Sequence, residues 1–163
     1  IEAEGLVALD HKPIAPHPIL ADLALATRKV PNPYVEELAA ARAIEIQTGT
    51  NLSFQTRSFQ VNPGERIALT LKNPDVVPHN WALLAPGTLR EVGDLTNKLI
   101  SDPDAMVRQY IPQTKAVLAY TDIVLPRESF TIYFTAPTQS GNYPYLCTFP
   151  GHWLVMNGEM IVR

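Results

Sequence analysis

The chain is short of cysteine, of net charge and of long apolar runs, and each shortage removes a class of explanation. Cys147 is the only cysteine in 163 residues, so no internal disulfide can staple the fold, and cysteine usage is silent about the redox compartment. The formal charge is −3, and the basic stripe that phosphate backbones require is missing, so nucleic acid is not an expected partner. No apolar run reaches the ~20 residues of a membrane-spanning helix. The opening Ile1-Glu2-Ala3-Glu4 is neither basic nor apolar enough for a secretory leader. With no initiator methionine, the chain is expected to be a processed product or a piece of a longer polypeptide. Internal repeats and low-complexity tracts are also lacking. Two stretches, residues 76–84 and 142–158, hold no Lys, Arg, Asp or Glu at all.

What the second uncharged stretch does hold is a concentration of metal-binding side chains. Within Tyr145-Leu146-Cys147-Thr148-Phe149-Pro150-Gly151-His152-Trp153-Leu154-Val155-Met156-Asn157-Gly158 sit a thiol, an imidazole and a thioether. Soft sulfur donors beside an imidazole match a metal that alternates between Cu(I) and Cu(II). Two histidines and a cysteine in a plane, with a weak axial methionine, form the ligand set of blue-copper electron-transfer sites. The loop supplies three of the four; Val77-Pro78-His79-Asn80-Trp81 offers the other histidine at the head of a different strand. The expected ligands of one copper ion are therefore His79, Cys147, His152 and Met156. Taken singly, each has a simpler reading: a lone cysteine is usually a small buried hydrophobe, and a methionine is usually packing. Their coincidence in one short loop, with Pro150 and Gly151 to reverse the chain, is what favours the metal. Met160 falls inside the last strand and is expected to pack in the core. His11 and His17 lie in a proline-rich segment and read as solvated loop residues.

Residues 1–43 differ in texture from the rest. Pro13, Pro16, Pro18, Pro31 and Pro33 forbid a long helix or a central strand, while residues 19–26 and 34–43 are rich enough in Ala, Leu and Glu for short helices. The expectation is an arm on the surface, or a linker, ahead of a domain at 44–163. From residue 43 onward short alternating runs separated by turn residues indicate an all-β sandwich. Strands are expected at 44–47, 52–61, 66–72, 80–84, 116–124, 129–135, 142–147 and 159–162. Leu95, Leu99, Ile100, Met106, Val107 and Tyr110 interrupt this at helical spacing, with Asp94 and Ser101 or Asp102 as caps and Pro103 in a first turn. One or two short helices outside the sandwich are expected, with Met106 as a core contact of its helix.

The Cys-Thr-Phe-Pro-Gly-His run at 147–152, the spacing on to Met156-Asn157-Gly158, and Val77-Pro78-His79-Asn80-Trp81 together resemble the cupredoxins, most of all the azurins and auracyanins. Ala116-Val117-Leu118-Ala119-Tyr120-Thr121 is similar to the azurin strand that follows its helical flap. The resemblance covers residues 44–163 and implies a Greek-key β-sandwich of about eight strands and a type 1 copper site. It also implies an electron carrier, not an enzyme, working in the periplasm or otherwise exported. By the same analogy the backbone N–H groups of Asn80 and Phe149 donate to the Cys147 sulfur, and the Asn80 side chain ties the two ligand segments together. Two features depart from azurin. The disulfide common in that family is impossible here, and docking of the arm is a possible substitute. Pro78 stands, as in plastocyanins, where azurin has a glycine whose carbonyl is a distant fifth ligand, so four-coordination is expected. An uncharged docking face of Val77, Pro78, Phe149, Pro150, Trp153 and Leu154, with the His152 edge as electron port, would suit brief contact with a redox protein such as a cytochrome.

Three other functions compete with this reading. An oxidase or nitrite reductase needs a further copper centre wired through a histidine beside the cysteine, whereas Cys147 is flanked by Leu146 and Thr148. A copper store or chaperone favours flexible ligands over ones locked at strand ends. The alternative that stays closest is a cupredoxin electron-transfer domain of a larger multidomain redox protein.

Overall fold

The computed structural model describes residues 30–163; His11, His17 and the helix expected at 19–26 lie outside that range. Eight strands run in chain order: β1 (Arg42–Gln47), β2 (Ser58–Val61), β3 (Arg66–Lys72), β4 (Ala82–Leu84), β5 (Val117–Tyr120), β6 (Ser129–Thr135), β7 (Gly141–Leu146) and β8 (Asn157–Val162). They form one sheet of order β1-β3-β6 and a second of order β2-β8-β7-β4-β5. The expected all-β sandwich is therefore present.

Alternation explains how the two sheets meet. Ile67, Leu69 and Leu71 point inward from β3, and their antiparallel partners on β6 are Phe134, Ile132 and Phe130. Directly paired residues share a face, so the two strands present one continuous apolar surface. Facing it from the second sheet are Val61, Trp81, Leu83, Tyr143, Tyr145, Met160 and Val162. Each large side chain fully withdrawn from water contributes ~1.5–3 kcal/mol.

The strands that lead into the metal-ligand segments are covered on both faces. Trp81 and Leu83 enter the main core, while Ala82 and Leu84 join Leu146, Val92 and Trp153 in a second cluster on the outer side. That outer cover is α1 (Leu89–Lys98), continued by a 3-10 turn at Leu99–Ser101. The helix starts earlier than the sequence pattern suggests, with Thr88 at its N-cap and Asp94 in its interior. Its buried residues are Val92, Gly93 and Thr96, and a count of apolar side chains overlooks the last two. Residues 103–110 form turns instead of a second helix, with Gln109 and Tyr110 at φ +56 and +58. Met106 accordingly lies in a surface groove with Tyr110 and Phe149, not under a helix.

The segment before β1 is not helical. Ala40 has a φ of +58, and residues 42 and 43 pair in parallel with Ile67 and Ala68 of β3, so sheet pairing overrides local helix propensity. Residues 30–34 dock across both sheets. The Tyr133 N–H on β6 donates to the Tyr34 carbonyl at 2.7 Å, while Asn32 Nδ2 donates to the Tyr120 carbonyl of β5 at 3.0 Å and to Asp122 Oδ1 at 3.2 Å. The Tyr34 ring meets Tyr120 edge-on at 5.2 Å. Other boundaries shift modestly. The run expected at 52–61 is a strand only from Ser58, because residues 48–54 fold back through the Thr48–Phe54 bridge.

Gly93 sits against the Trp153 ring: a Cβ there would fall 2.3 Å from Cδ2. An exposed mid-helix Gly→Ala change gains up to ~1 kcal/mol, but overpacking costs ~1–3 kcal/mol. Gly93→Ala is expected to lower stability by about 1–2 kcal/mol on that balance, read from urea unfolding. A gain would mean that the indole moves aside freely.

Candidate metal centre

Three donor atoms meet at one end of the sandwich. Cys147 Sγ lies 3.6 Å from His152 Nδ1 and 4.0 Å from His79 Nδ1, and all three lie within 4.8 Å of one another. His79 is pinned by a two-way backbone bridge: its N–H donates to the Val124 carbonyl at 3.1 Å, and the Val124 N–H returns to its carbonyl at 2.7 Å. Cys147 follows directly on β7. The loop from Cys147 to Met156 closes on itself, with the Cys147 N–H on the Met156 carbonyl at 3.1 Å and the Met156 N–H on the His152 carbonyl at 2.9 Å. Gly151 takes a φ of +87 in the reversal, a conformation open to glycine at no steric cost. Met156 is fully buried in the same core cluster as Cys147.

Two backbone N–H groups approach the sulfur. The Asn80 N–H donates to Cys147 Sγ at 3.5 Å, and the Phe149 N–H also bonds it. The Asn80 side chain accepts from the Thr148 N–H at 2.7 Å and donates to Thr148 Oγ1 at 2.6 Å, which ties the histidine segment to the cysteine segment. Pro78 is half-buried beside Phe149 on the wall of the surface groove. The Phe149 ring packs 5.1 Å from His152 and 5.2 Å from Tyr110.

The structure changes one member of the expected docking face. Trp153 is only 7% exposed, because its ring lies beneath Gly93 and its Nε1–H donates to Asn97 Oδ1 at 3.2 Å. Leu154 at 71%, Val155 at 56% and Val76 at 78% are open to solvent instead. Val77, Phe149, Pro150 and His152 are partly exposed. Folding also brings residues that are distant in sequence to this rim. Met106, Gln109, Tyr110, Ile123, Leu125 and Glu128 line a groove with Pro78 and Phe149.

One residue at the site escaped the sequence reading. Asp75 Oδ2 is 2.8 Å from His79 Nε2, and the uncharged stretch 76–84 begins just after it. A carboxylate four residues ahead of a ligand histidine was the available signal.

Burial governs protonation here. The Cys147 thiol is pushed up to about 12 by desolvation, against the smaller pull of the Asn80 and Phe149 N–H groups. Burial, helped by nearby His79, lowers His152, so its ring is neutral at pH 7. Asp75 is held below the usual carboxylate range, first by its bond to His79 and then by the Val76 N–H. One sulfur and two imidazole nitrogens, with no oxygen donor in the group, suit copper and not hard cations such as calcium or magnesium.

A strand sandwich with one cysteine and two histidines gathered at its end, and a methionine closing the same loop, defines the small copper proteins called cupredoxins. The chain belongs to the plastocyanin/azurin family of copper-binding proteins, whose sequence model matches residues 40–163. It is 32% identical to auracyanin-A of Chloroflexus aurantiacus over 117 residues, 71% of this chain and 70% of that protein. It is 26% identical to azurin of Pseudomonas aeruginosa over 135 residues, 77% of this chain and 88% of azurin. Among solved structures, auracyanin A, described as a "blue" copper protein, superposes with a TM-score of 0.68 at 31% identity. That match covers 76% of this chain and all of auracyanin A.

Uptake of Cu(II) requires the Cys147 thiolate, which the metal-free protein holds protonated. Between roughly pH 8 and 9, where ordinary imidazoles are already neutral, binding is expected to release about one proton per copper. The apparent affinity should then rise about tenfold per pH unit. Indicator-dye titration reads the proton directly, and a pH-independent affinity would mean that the thiol does not ligate.

Proposed function

We propose that the protein is a one-electron carrier with a type 1 copper site, in which His79, Cys147 and His152 would be the strong ligands and Met156 the weak one. The observation that carries this reading is the convergence of a buried sulfur with the Nδ1 atoms of two histidines from separate segments. Copper bound there supplies the one-electron Cu(II)/Cu(I) couple. The residues contribute a stiff frame around the donor atoms. His79 is fixed by its bridge to Val124, the Cys147–Met156 loop is closed by its own backbone, and Asn80 holds the two parts in register. The core around Cys147 and Met156 excludes water. Pro78 in place of glycine supports four-coordination.

His152 is the electron port. Its Nδ1 faces the sulfur, and the ring is partly exposed among Phe149, Pro150 and Leu154. These residues, with Val77 and Pro78, make an uncharged face for transient docking of a redox protein such as a cytochrome. An apolar contact of this kind excludes water between donor and acceptor without long-range steering. Kinship with azurin and auracyanin supports work in the periplasm or another exported setting. Among the described residues no helix is long and apolar enough to cross a membrane.

Adding Cu(II) to the metal-free protein is expected to give an intense blue band that ascorbate bleaches. Cys147→Ser should abolish the band, and Met156→Leu should keep it with altered position and potential. Absence of the band in the unaltered protein would sink the assignment. Because residues 76–84 and 142–158 carry no charged side chain, electron self-exchange should change little as ionic strength rises. A steep salt dependence would place the contact elsewhere.

A further inference from the structure

The carboxylate behind His79 has no part in the ligand set, yet its surroundings are built to hold it there. Asp75 is 6% exposed and His79 fully buried. Asp75 Oδ2 faces His79 Nε2 at 2.8 Å, and Oδ1 accepts the Val76 N–H at 2.7 Å. The turn that carries it is fastened by Asn73. The Asn73 side-chain oxygen accepts from the Asp75 N–H at 3.0 Å and from Thr48 Oγ1 at 3.0 Å, while its Nδ2 donates to the Val77 and Val124 carbonyls, each at 2.8 Å. Val124 is also the backbone partner of His79. One polar cluster therefore locates both the imidazole and the carboxylate behind it.

We propose that Asp75 is a positioning residue for the metal centre: its buried carboxylate fixes His79 in the tautomer whose Nδ1 faces Cys147, and its charge lowers the site's reduction potential. This role of Asp75 presupposes copper at the site proposed above. With Nε2–H donated to Asp75, the Nδ1 lone pair is left for the metal, and a hydrogen-bonded carboxylate makes the imidazole a stronger donor. Charge acts in the same direction. Two neutral imidazoles and one thiolate leave the oxidised site with a net positive charge and the reduced site with none. A fixed negative charge in a poorly solvated position attracts the first and gains nothing from the second. Both effects favour Cu(II). A carboxylate serving only to complete the turn would satisfy Val76 without meeting His79 Nε2.

Asp75→Asn and Asp75→Ala, loaded with copper, provide the test by spectroelectrochemical titration. Outer-shell partners of ligand histidines typically alter metal affinity by ~10–100-fold. The lower end, a tenfold loss of Cu(II) relative to Cu(I) affinity, raises a one-electron potential by ~59 mV. An upward shift of that order in both variants, with the blue band retained, is the expected result. An unchanged or lowered potential overturns the proposal, even if thermal stability falls. The unaltered protein gives a measurement that does not depend on any variant folding. In the diamagnetic Cu(I) form, proton NMR should show a slowly exchanging, strongly downfield His79 Nε2–H, and its absence would also overturn the tautomer assignment. A wild-type protein that develops no blue band refutes the copper reading beneath the proposal, an outcome distinct from an unmoved potential.

Discussion

Asn80 is the constraint on which the metal end depends. Its side chain is fully buried, and both ends of the amide are committed, the oxygen to the Thr148 N–H and the nitrogen to Thr148 Oγ1 and the Gln109 carbonyl. Its backbone N–H reaches the Cys147 sulfur. Asn80 adjoins one ligand and Thr148 another, so this single residue sets the separation of two segments that lie 68 positions apart. Each such bond contributes only about 1 kcal/mol net, but leaving a buried amide unpaired costs ~1–3 kcal/mol. The penalty for drift is therefore steeper than the gain from pairing, which keeps the donor atoms at fixed spacing.

The sandwich makes that spacing possible by giving each ligand a stiff root. β7 delivers Cys147 from the middle of the five-stranded sheet, buried on one face by the main core and on the other by α1. The helix is close enough to need a glycine against Trp153, so it clamps the ligand loop from outside. Residues 30–34 span from β6 to β5 and join the edges of the two sheets. In a chain with one cysteine, hydrogen bonds and a tyrosine pair thus provide a cross-link between sheets that a disulfide cannot.

Much of this was legible in the residues because the relevant patterns are local. The alternation of Ile67, Leu69 and Leu71 and the spacing of Cys147, His152 and Met156 each lie within one short stretch. The functions of Gly93 and Thr96 were not legible, since a helix face made of small residues carries no apolar signature until its partner, Trp153, is known. Trp153 reads as part of the docking face because its stretch of chain carries no charged residue, whereas in the fold α1 covers it. Residues 34–43 have helical composition, but the open edge of β3 outcompetes it. Asp75 is not legible in the residues, because its role depends on which nitrogen of His79 it meets, and that follows from a turn fastened by Thr48, Asn73 and Val124.

The closure of the loop between Cys147 and Met156 has a consequence for how such a protein can diverge. A ring joined by its own amides must break and re-form those bonds to take up or lose a residue, so its length is under tighter restraint than its outward side chains. Leu154 and Val155, both open to solvent, can be exchanged while the ring keeps its circumference. Selection can therefore redraw the surface that meets a new redox partner, generation by generation, without putting the grip on the metal at risk.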